Sequence, residues 1–349
     1  MKKIVWLLAV LLAAAFLSAC GGEKSDNVLR VYNWGDYIDE DLIAEFEAET
    51  GIKVIYDTYS TNEEMYPKIE ADSSLYDVVC PSDYMAQKMM QKGLLQEIDW
   101  TKLENKANIG ETYLKLLSDF ADPGNKYMVP YCWGTVGILY NTELVDEEPT
   151  SWKILWDEKY KGSILMQDSV RDAFMVAEKA LGYSANTTDE AELKACQEYL
   201  KEQYPLVKGY VIDEVRDKMI AGETALAVIY SGEYLYCKEE NENLAYVVPE
   251  EGTNVWYDGW VITKDAKNVD AAHKWIDFLL RAEVAKRNFD YITYPTPNVA
   301  AEALIDEEIL NDPAVFPDKD LVETYEVFTY LGEEAEDLYY SLWVEVKGE

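Results

Sequence analysis

Carboxylates and aromatic rings recur side by side in this chain of 349 residues. Trp34-Gly35-Asp36-Tyr37 closes one β-prone run, and Pro81-Ser82-Asp83-Tyr84 closes another. Trp256-Tyr257-Asp258 and Tyr294-Pro295-Thr296-Pro297-Asn298 come later, and Tyr230 stands just before Ser231-Gly232. Asp168 and Asp172 are i and i+4, so they share a face if a helix begins by Asp168. This mixture suits an organic cation. Ammonium groups donate charge-assisted hydrogen bonds to carboxylates, and each Trp or Tyr face adds roughly 0.5–2 kcal/mol of cation–π attraction. The same rings pack against methylene groups. One Asp alone serves equally well as a helix cap, and one Trp as core filling. The recurrence at several strand ends is what points to a ligand. Helix N-termini near such loops carry positive partial charge and repel a cation, so acids such as Asp36, Asp168, Asp172 and Asp258 are needed to reverse the local field.

Composition removes the competing chemistries. His273 is the only histidine, which excludes a multi-histidine metal site and leaves acid–base catalysis by imidazole with one candidate. Lys and Arg number 31 against 67 Asp and Glu, a net charge of −36 that repels phosphate backbones and anionic lipid. The chain is nonetheless 49% hydrophobic, with 10 Trp, 27 Tyr and 8 Phe, so it folds rather than forming an acidic tail. Its length allows about two domains. No metal and no cofactor is expected.

The elements that must position these residues alternate. Val28–Trp34 reads as a strand, and Asp39–Thr50 as a helix with Leu42, Ile43 and Phe46 on one face, stopped by Gly51. Ile52–Tyr59, Asn62–Ala71, Tyr76–Cys80 and Asp83–Lys92 continue strand, helix, strand, helix. Three consecutive β-α units predict a parallel sheet with right-handed crossovers. Ser163–Met166 (strand), Val170–Leu181 and Glu190–Glu202 (helices) and Ala225–Tyr230 (strand) predict a second α/β lobe, with a Thr187/Glu190 capping box opening the second helix. Asp270–Leu280 is amphipathic through Ala272, Trp275, Ile276, Leu279 and Leu280, and His273 falls off that face, towards solvent. Gly332–Val346 reads as a helix with a solvated acidic face. In open parallel sheets the ligand lies beyond the carboxyl ends of the strands, which is where the aromatic and acidic loops fall.

The amino terminus sets the compartment. Met1-Lys2-Lys3 precedes an apolar run, Ile4–Leu17, shorter than the roughly 20 residues of a membrane-spanning helix. Leu17-Ser18-Ala19-Cys20 then resembles a bacterial lipoprotein signal, giving a signal peptide over 1–19, lipid on Cys20 and a linker over 20–27. The expected product is exported and tethered to the outer face of the cell membrane, or to the periplasmic side in a Gram-negative organism. Cys80, Cys132, Cys196 and Cys237 contain no Cys-x-x-Cys pair, and none can be assigned to a bridge.

Tyr32-Asn33-Trp34-Gly35-Asp36-Tyr37, Thr50-Gly51-Ile52-Lys53-Val54, Asn62-Glu63-Glu64-Met65-Tyr66, Ser151-Trp152 with Trp156 and Tyr160-Lys161-Gly162, and finally Tyr294-Pro295-Thr296-Pro297-Asn298 occur in that order. As an ordered set they resemble the spermidine/putrescine-binding proteins of polyamine ABC importers. The resemblance implies a two-lobed periplasmic-binding-protein-like α/β fold (type II), each lobe a mixed, mostly parallel sheet flanked by helices. It implies a ligand in the interlobe cleft, closed by a hinge motion. Lobe 1 would comprise 28–133 plus 258–302, and lobe 2 134–257 plus 303–349. The site it implies is Trp34, Asp36, Tyr37, Ser82, Tyr84, Asp168, Asp172, Tyr230, Trp256, Asp258 and Tyr294. A one-residue shift would put Ser169 in place of Asp168. Tyr230 stands where relatives commonly carry tryptophan, and Phe328 near where some carry glutamine. On this scheme Asp258 with Trp256 grips one ammonium of spermidine or putrescine, Asp168 and Asp172 hold another, and Trp34, Tyr37, Tyr230 and Tyr294 sandwich the methylenes. The implied role is capture outside the membrane and delivery to ABC permease subunits by a monomer, not catalysis.

Other functions use similar residues. A secreted glycoside hydrolase also needs aromatic platforms and paired acids. The same fold could hold ferric iron on tyrosines, a sugar or an amino acid, and a surface lipoprotein could be acidic only for solubility. The acid–aromatic pairing and the lone histidine favour an amine.

Overall fold

β1 (Val28–Trp34) buries Leu29, Val31 and Tyr32 and pairs in parallel with β2 (Lys53–Tyr59) and β3 (Val78–Val79). This computed structural model describes residues 27–212, 214–317 and 325–348, so the signal peptide expected over 1–19, Cys20 and most of the expected linker lie outside the described residues. The intervening helices are α1 (Glu40–Thr50), α2 (Asn62–Ala71) and α3 (Asp83–Gln91). Asp39 caps α1 by accepting the Asp41 N–H, and Gly51 ends it at φ 68°, a left-handed geometry that side chains resist. Three β-α units with a parallel sheet are therefore present as the apolar spacing predicts.

β4 (Leu95–Gln96) and α4 (Glu111–Phe120) lead into β5 (Met128–Asn141), the longest strand. The order continues through β6 (Ile164–Gln167), α5 (Val170–Leu181), α6 (Glu190–Gln203), β7 (Val207–Val211), α7 (Val215–Ile220), β8 (Leu226–Tyr230), α8 (Ser231–Glu240), β9 (Leu244–Val247) and β10 (Val255–Thr263). α9 (Val269–Leu279), α10 (Ala282–Ile292) and, after two single-turn helices, α11 (Glu333–Lys347) complete the elements among the described residues. The strand order is β2-β1-β3-β10-β5-β8-β6-β7, with β4 on β10 and β9 on β5. The two ends of this path are parallel, and the middle is antiparallel.

β5 belongs to both halves of the sheet. Met128–Thr135 pairs with β10, and Val136–Asn141 pairs with β8 and β9. It is the crossover that lets two α/β lobes share one strand path. The core behind the first half centres on Trp260, Trp275 and Phe46, whose rings meet edge to face, with Trp260–Trp275 centroids at 6.0 Å. Burial of such rings is the main stabilising term, because each removes a large apolar area from water.

Three local expectations are corrected. α6 is capped by Asp189, which accepts from Ala191 and Glu192, while Thr187 turns its hydroxyl to Glu192, so no Thr187/Glu190 box forms. His273 is buried at 2% exposure, because the side of α9 turned away from its apolar stripe is covered by the Asp99 turn. Its Nε2 accepts the Asp99 N–H at 2.9 Å, so Nδ1 donates to the Val269 carbonyl at 2.7 Å. The acidic face of α11 is partly docked. Glu336 pairs with Lys88 of α3 at 2.6 Å, Glu333 pairs with Lys92, and Tyr339 donates to Glu178 at 2.6 Å. Gln87, also on α3, accepts the Tyr330 N–H at 3.1 Å. The bonds from Lys88, Lys92 and Gln87 tie a helix of the first half to the C-terminal segment, and the Tyr339 bond ties α11 to α5.

Candidate functional site

β10 carries Trp256 and Asp258 to the point where the two halves of the sheet meet. The register slips between Asp258 and Gly259, and such a bulge re-aims the adjacent side chain. Asp258 forms an antiparallel backbone bridge with Ser82, just beyond the β3–β10 pairing, and is 4% exposed. Tyr37 donates its O–H to Asp258 Oδ2 at 2.8 Å, and the Tyr37 hydroxyl oxygen lies 2.7 Å from Cys132 Sγ. Asp258 Oδ1 has no hydrogen-bond partner among the described residues. Burial pushes the Asp258 carboxyl up to about 7, against the opposing pull of its hydrogen bonds from Ser82 and Tyr37. A buried carboxylate with a free oxygen is poised to gain from a cation.

Aromatic rings wall the same space. Trp34 donates Nε1–H to the Cys80 carbonyl at 2.8 Å and leans on Tyr59 with centroids 4.7 Å apart. Trp256 meets Tyr230 and Tyr294 edge to face at 5.8 and 5.3 Å. Gly134 makes the Trp256 position possible, since a Cβ there would lie 2.6 Å from the indole; Gly232 does the same for the Tyr294 ring at 2.3 Å. Asn62 donates to Ser82 Oγ at 3.1 Å and to Tyr84 Oη at 3.0 Å, and Tyr84 donates to Glu63 at 3.0 Å. Across the cleft, Tyr230 donates to Asp172 Oδ2 at 2.8 Å, and burial raises the Asp172 carboxyl.

These groups line one cavity of about 120 Å³. Nine of the residues expected from sequence surround it: Trp34, Tyr37, Ser82, Tyr84, Asp172, Tyr230, Trp256, Asp258 and Tyr294. Phe328 joins them. Asp36 and Asp168 do not. Asp36 is exposed, 3.9 Å from Arg216, because its turn points it past the cleft. Asp168 lies in the loop between β6 and α5, and its carboxylate takes the Lys347 ammonium at 2.9 Å. The helix starts at Val170, so the i,i+4 pairing with Asp172 never forms; Ser169 occupies the lining instead.

Sequence reading missed several lining residues. Asn62 and Glu63 belong to a strand-end loop already marked by its resemblance, and that loop was the available signal. Gln167, Arg171, Glu233 and Asn254 stand within three residues of expected site residues, which was the signal available, whereas Arg216 gave none, since only tertiary packing brings it in. Arg216 and Glu233 neutralise one another, with Arg216 Nη2 at 2.7 Å from Glu233 Oε1, and Tyr294 donates to the same carboxylate at 2.5 Å. Arg171 lies over Phe328 at 4.3 Å and donates to the Thr329 and Ala185 carbonyls at 3.2 and 3.1 Å. Asp83, also missed as a separate role, is scaffold: it accepts the Tyr84 and Tyr257 N–H groups at 2.6 and 3.0 Å and locks α3 to β10. Among the described residues no group of three or more His, Cys, Asp or Glu side chains is arranged to hold a metal, and Cys80, Cys132, Cys196 and Cys237 are free and buried.

A family model described as bacterial extracellular solute-binding protein matches residues 41–317. The chain is 39% identical over 330 residues to the spermidine/putrescine-binding periplasmic protein of Escherichia coli, covering 93% of each chain. A solved structure titled as a putative spermidine/putrescine ABC transporter from Listeria monocytogenes superposes with a TM-score of 0.88 at 42% identity, covering 92% of this chain and 99% of that one. The TpPotD lipoprotein of Treponema pallidum superposes at 0.81 with 27% identity, covering 92% and 100%.

Proposed function

Because this chain belongs to the bacterial extracellular solute-binding protein family, we propose that it captures polyamines, spermidine or putrescine, outside the membrane and delivers them to the permease of an ABC importer. The observation that carries the reading is the pairing of buried Asp258 and Asp172 with the rings of Trp34, Tyr37, Tyr230, Trp256 and Tyr294 around one cavity. Asp258 and Trp256 hold one ammonium, and the rings flank the methylenes. Asp172 receives the far end. No group here needs to break a bond, and the protein is a binding protein rather than an enzyme. The relatives' names favour an amine over iron, a sugar or a glycosidic substrate.

The lobes divide near residues 133 and 257, where β5 and β10 pass between the halves of the sheet, and binding closes them as a hinge. The export signal leads to lipid attachment at Cys20, in keeping with the Treponema relative's description as a lipoprotein. The protein works as a monomer. Titration calorimetry tests the central claim on the chain beginning after Cys20, with spermidine and putrescine at low and moderate salt. Saturable one-to-one binding that survives added salt supports a desolvated site. Weak multi-site binding that salt abolishes refutes it. Replacing Cys20 with Ala and finding the protein released from membranes would support the anchor; unchanged retention would refute it.

A further inference from the structure

The two ends of the cavity differ in charge and in hydrogen-bond type. At the Asp258 end, Tyr37 and Ser82 support a buried carboxylate with one unshared oxygen. At the other end Asp168 is turned away to Lys347, and Asp172, which accepts from Tyr230, shares the cavity wall with the Arg171 guanidinium and with Glu63, itself accepting from Tyr84. The fixed guanidinium offsets part of the pull that these acids exert on a second ammonium, so this end is less strictly cation-selective than the Asp258 end.

This end also offers neutral hydrogen bonding. Gln167 and Asn254 both line the cavity and are 1% and 0% exposed. Gln167 donates Nε2–H to the Val228 carbonyl at 3.2 Å, but its Oε1 has no partner among the described residues. Asn254 Nδ2 and Oδ1 are both unpartnered, as is Arg171 Nε, while Ser169 completes the set. Buried polar atoms are nearly always satisfied, because each one left bare costs about 1–3 kcal/mol. An ammonium has only donors and satisfies only the acceptors. Asn254 Nδ2 and Arg171 Nε call for an acceptor on the ligand, and Gln167 Oε1 and Asn254 Oδ1 call for a donor beside it.

A secondary amide supplies both. We propose that Gln167, Ser169, Arg171 and Asn254 form an amide-reading subsite, so that the protein also takes mono-N-acetylated polyamines, with the free amine on Asp258 and the acetamide at the Asp172 end. The inference rests on the polyamine reading above and sharpens it. It requires no covalent step.

The experiment is calorimetry of the chain beginning after Cys20 with putrescine, N-acetylputrescine, spermidine and N8-acetylspermidine, repeated on Asn254→Leu and Gln167→Met. These replacements keep side-chain size and bury no new polar group, and circular dichroism checks that each variant folds. The expected result is that an acetylated ligand binds within about threefold of its parent or better, and that Asn254→Leu lowers the acetylated-to-parent affinity ratio at least about tenfold. Gln167→Met should lower the ratio in the same direction. Parents binding more than about thirtyfold tighter than acetylated forms, or a ratio unmoved by both variants, would overturn the subsite while leaving the polyamine reading standing. Binding of none of the four ligands would overturn the polyamine reading itself.

Discussion

Putrescine affinity should fall as the pH drops through 7, and one residue should be responsible. Asp258 is buried with its carboxyl raised to about 7, first by desolvation, and its free Oδ1 has nothing to hold it ionised until a cation arrives. The empty site therefore carries a proton on Asp258 at low pH that an ammonium must displace. With that value, roughly ten in eleven molecules are ionised at pH 8 and one in eleven at pH 6, so the dissociation constant rises about tenfold between them, or ~1.4 kcal/mol. Putrescine's primary amines titrate near the lysine value of about 10.4 and stay charged throughout, which isolates the protein's contribution. Calorimetry at pH 6 in two buffers of different ionisation enthalpy should count nearly one proton released per ligand, falling to about a tenth at pH 8. Asp258→Asn should remove both the slope and the proton, and should weaken binding at pH 8 by at least about tenfold, ~1.4 kcal/mol. A flat dissociation constant from pH 6 to 8, or an Asn variant within about twofold of the original, would show that Asp258 does not hold the ammonium.

The same carboxyl affects the unliganded fold, with a defined sign. Asp258 and Glu178, each raised to about 7 by burial, hold protons in the folded state that the unfolded chain has released by about pH 5. Their contribution to stability is present at low pH and is lost as the pH rises through 7, so the melting temperature of Asp258→Asn should fall less from pH 5 to 7.5 than that of the parent; an equal or larger fall refutes the assignment. Asp172→Asn should weaken putrescine binding about tenfold or more, whereas Asp168→Asn, paired outside the cavity with Lys347, should stay within about twofold by calorimetry. Gly134→Ala places a Cβ 2.6 Å from the Trp256 ring and should cost about 1–3 kcal/mol in urea unfolding, together with a change in tryptophan fluorescence. Glu336→Gln breaks a bond between α3 and α11 outside the cavity; ligand release, followed by stopped flow, should become faster and less sensitive to salt.

The alternating elements were legible because each buries one face, and apolar spacing reports that directly. Val170–Leu181 and Asn62–Ala71 match the helices observed, residue for residue. The site was legible where a loop follows a strand, because chain direction places such loops at one rim: Trp34, Tyr37, Ser82 and Tyr84 arrive there by topology alone. Two kinds of information were missing. One was side-chain direction in the residues just before a helix, where a shift of one position sends Asp168 outward to α11 and Ser169 inward. The other was the second layer of packing, which buries His273 under the Asp99 turn and brings Arg216, remote in sequence from the expected site residues, to the cavity. Local periodicity carries no record of either.

The buried thiols give this exported chain a clock. Cys132 lies against the Tyr37 hydroxyl, directly behind the Asp258 carboxylate, and burial keeps its thiol protonated and unreactive. Cys132 also lines a small second cavity with Tyr131 and Trp260, so a water-soluble thiol reagent reaches it only when the packing around it opens. Its modification rate in the native sequence, with no engineered label, then reports local opening behind Asp258, and the part that a bound polyamine suppresses reports opening of the cleft. Cys196 and Cys237, packed in separate cores away from the cleft, provide the internal reference for global unfolding.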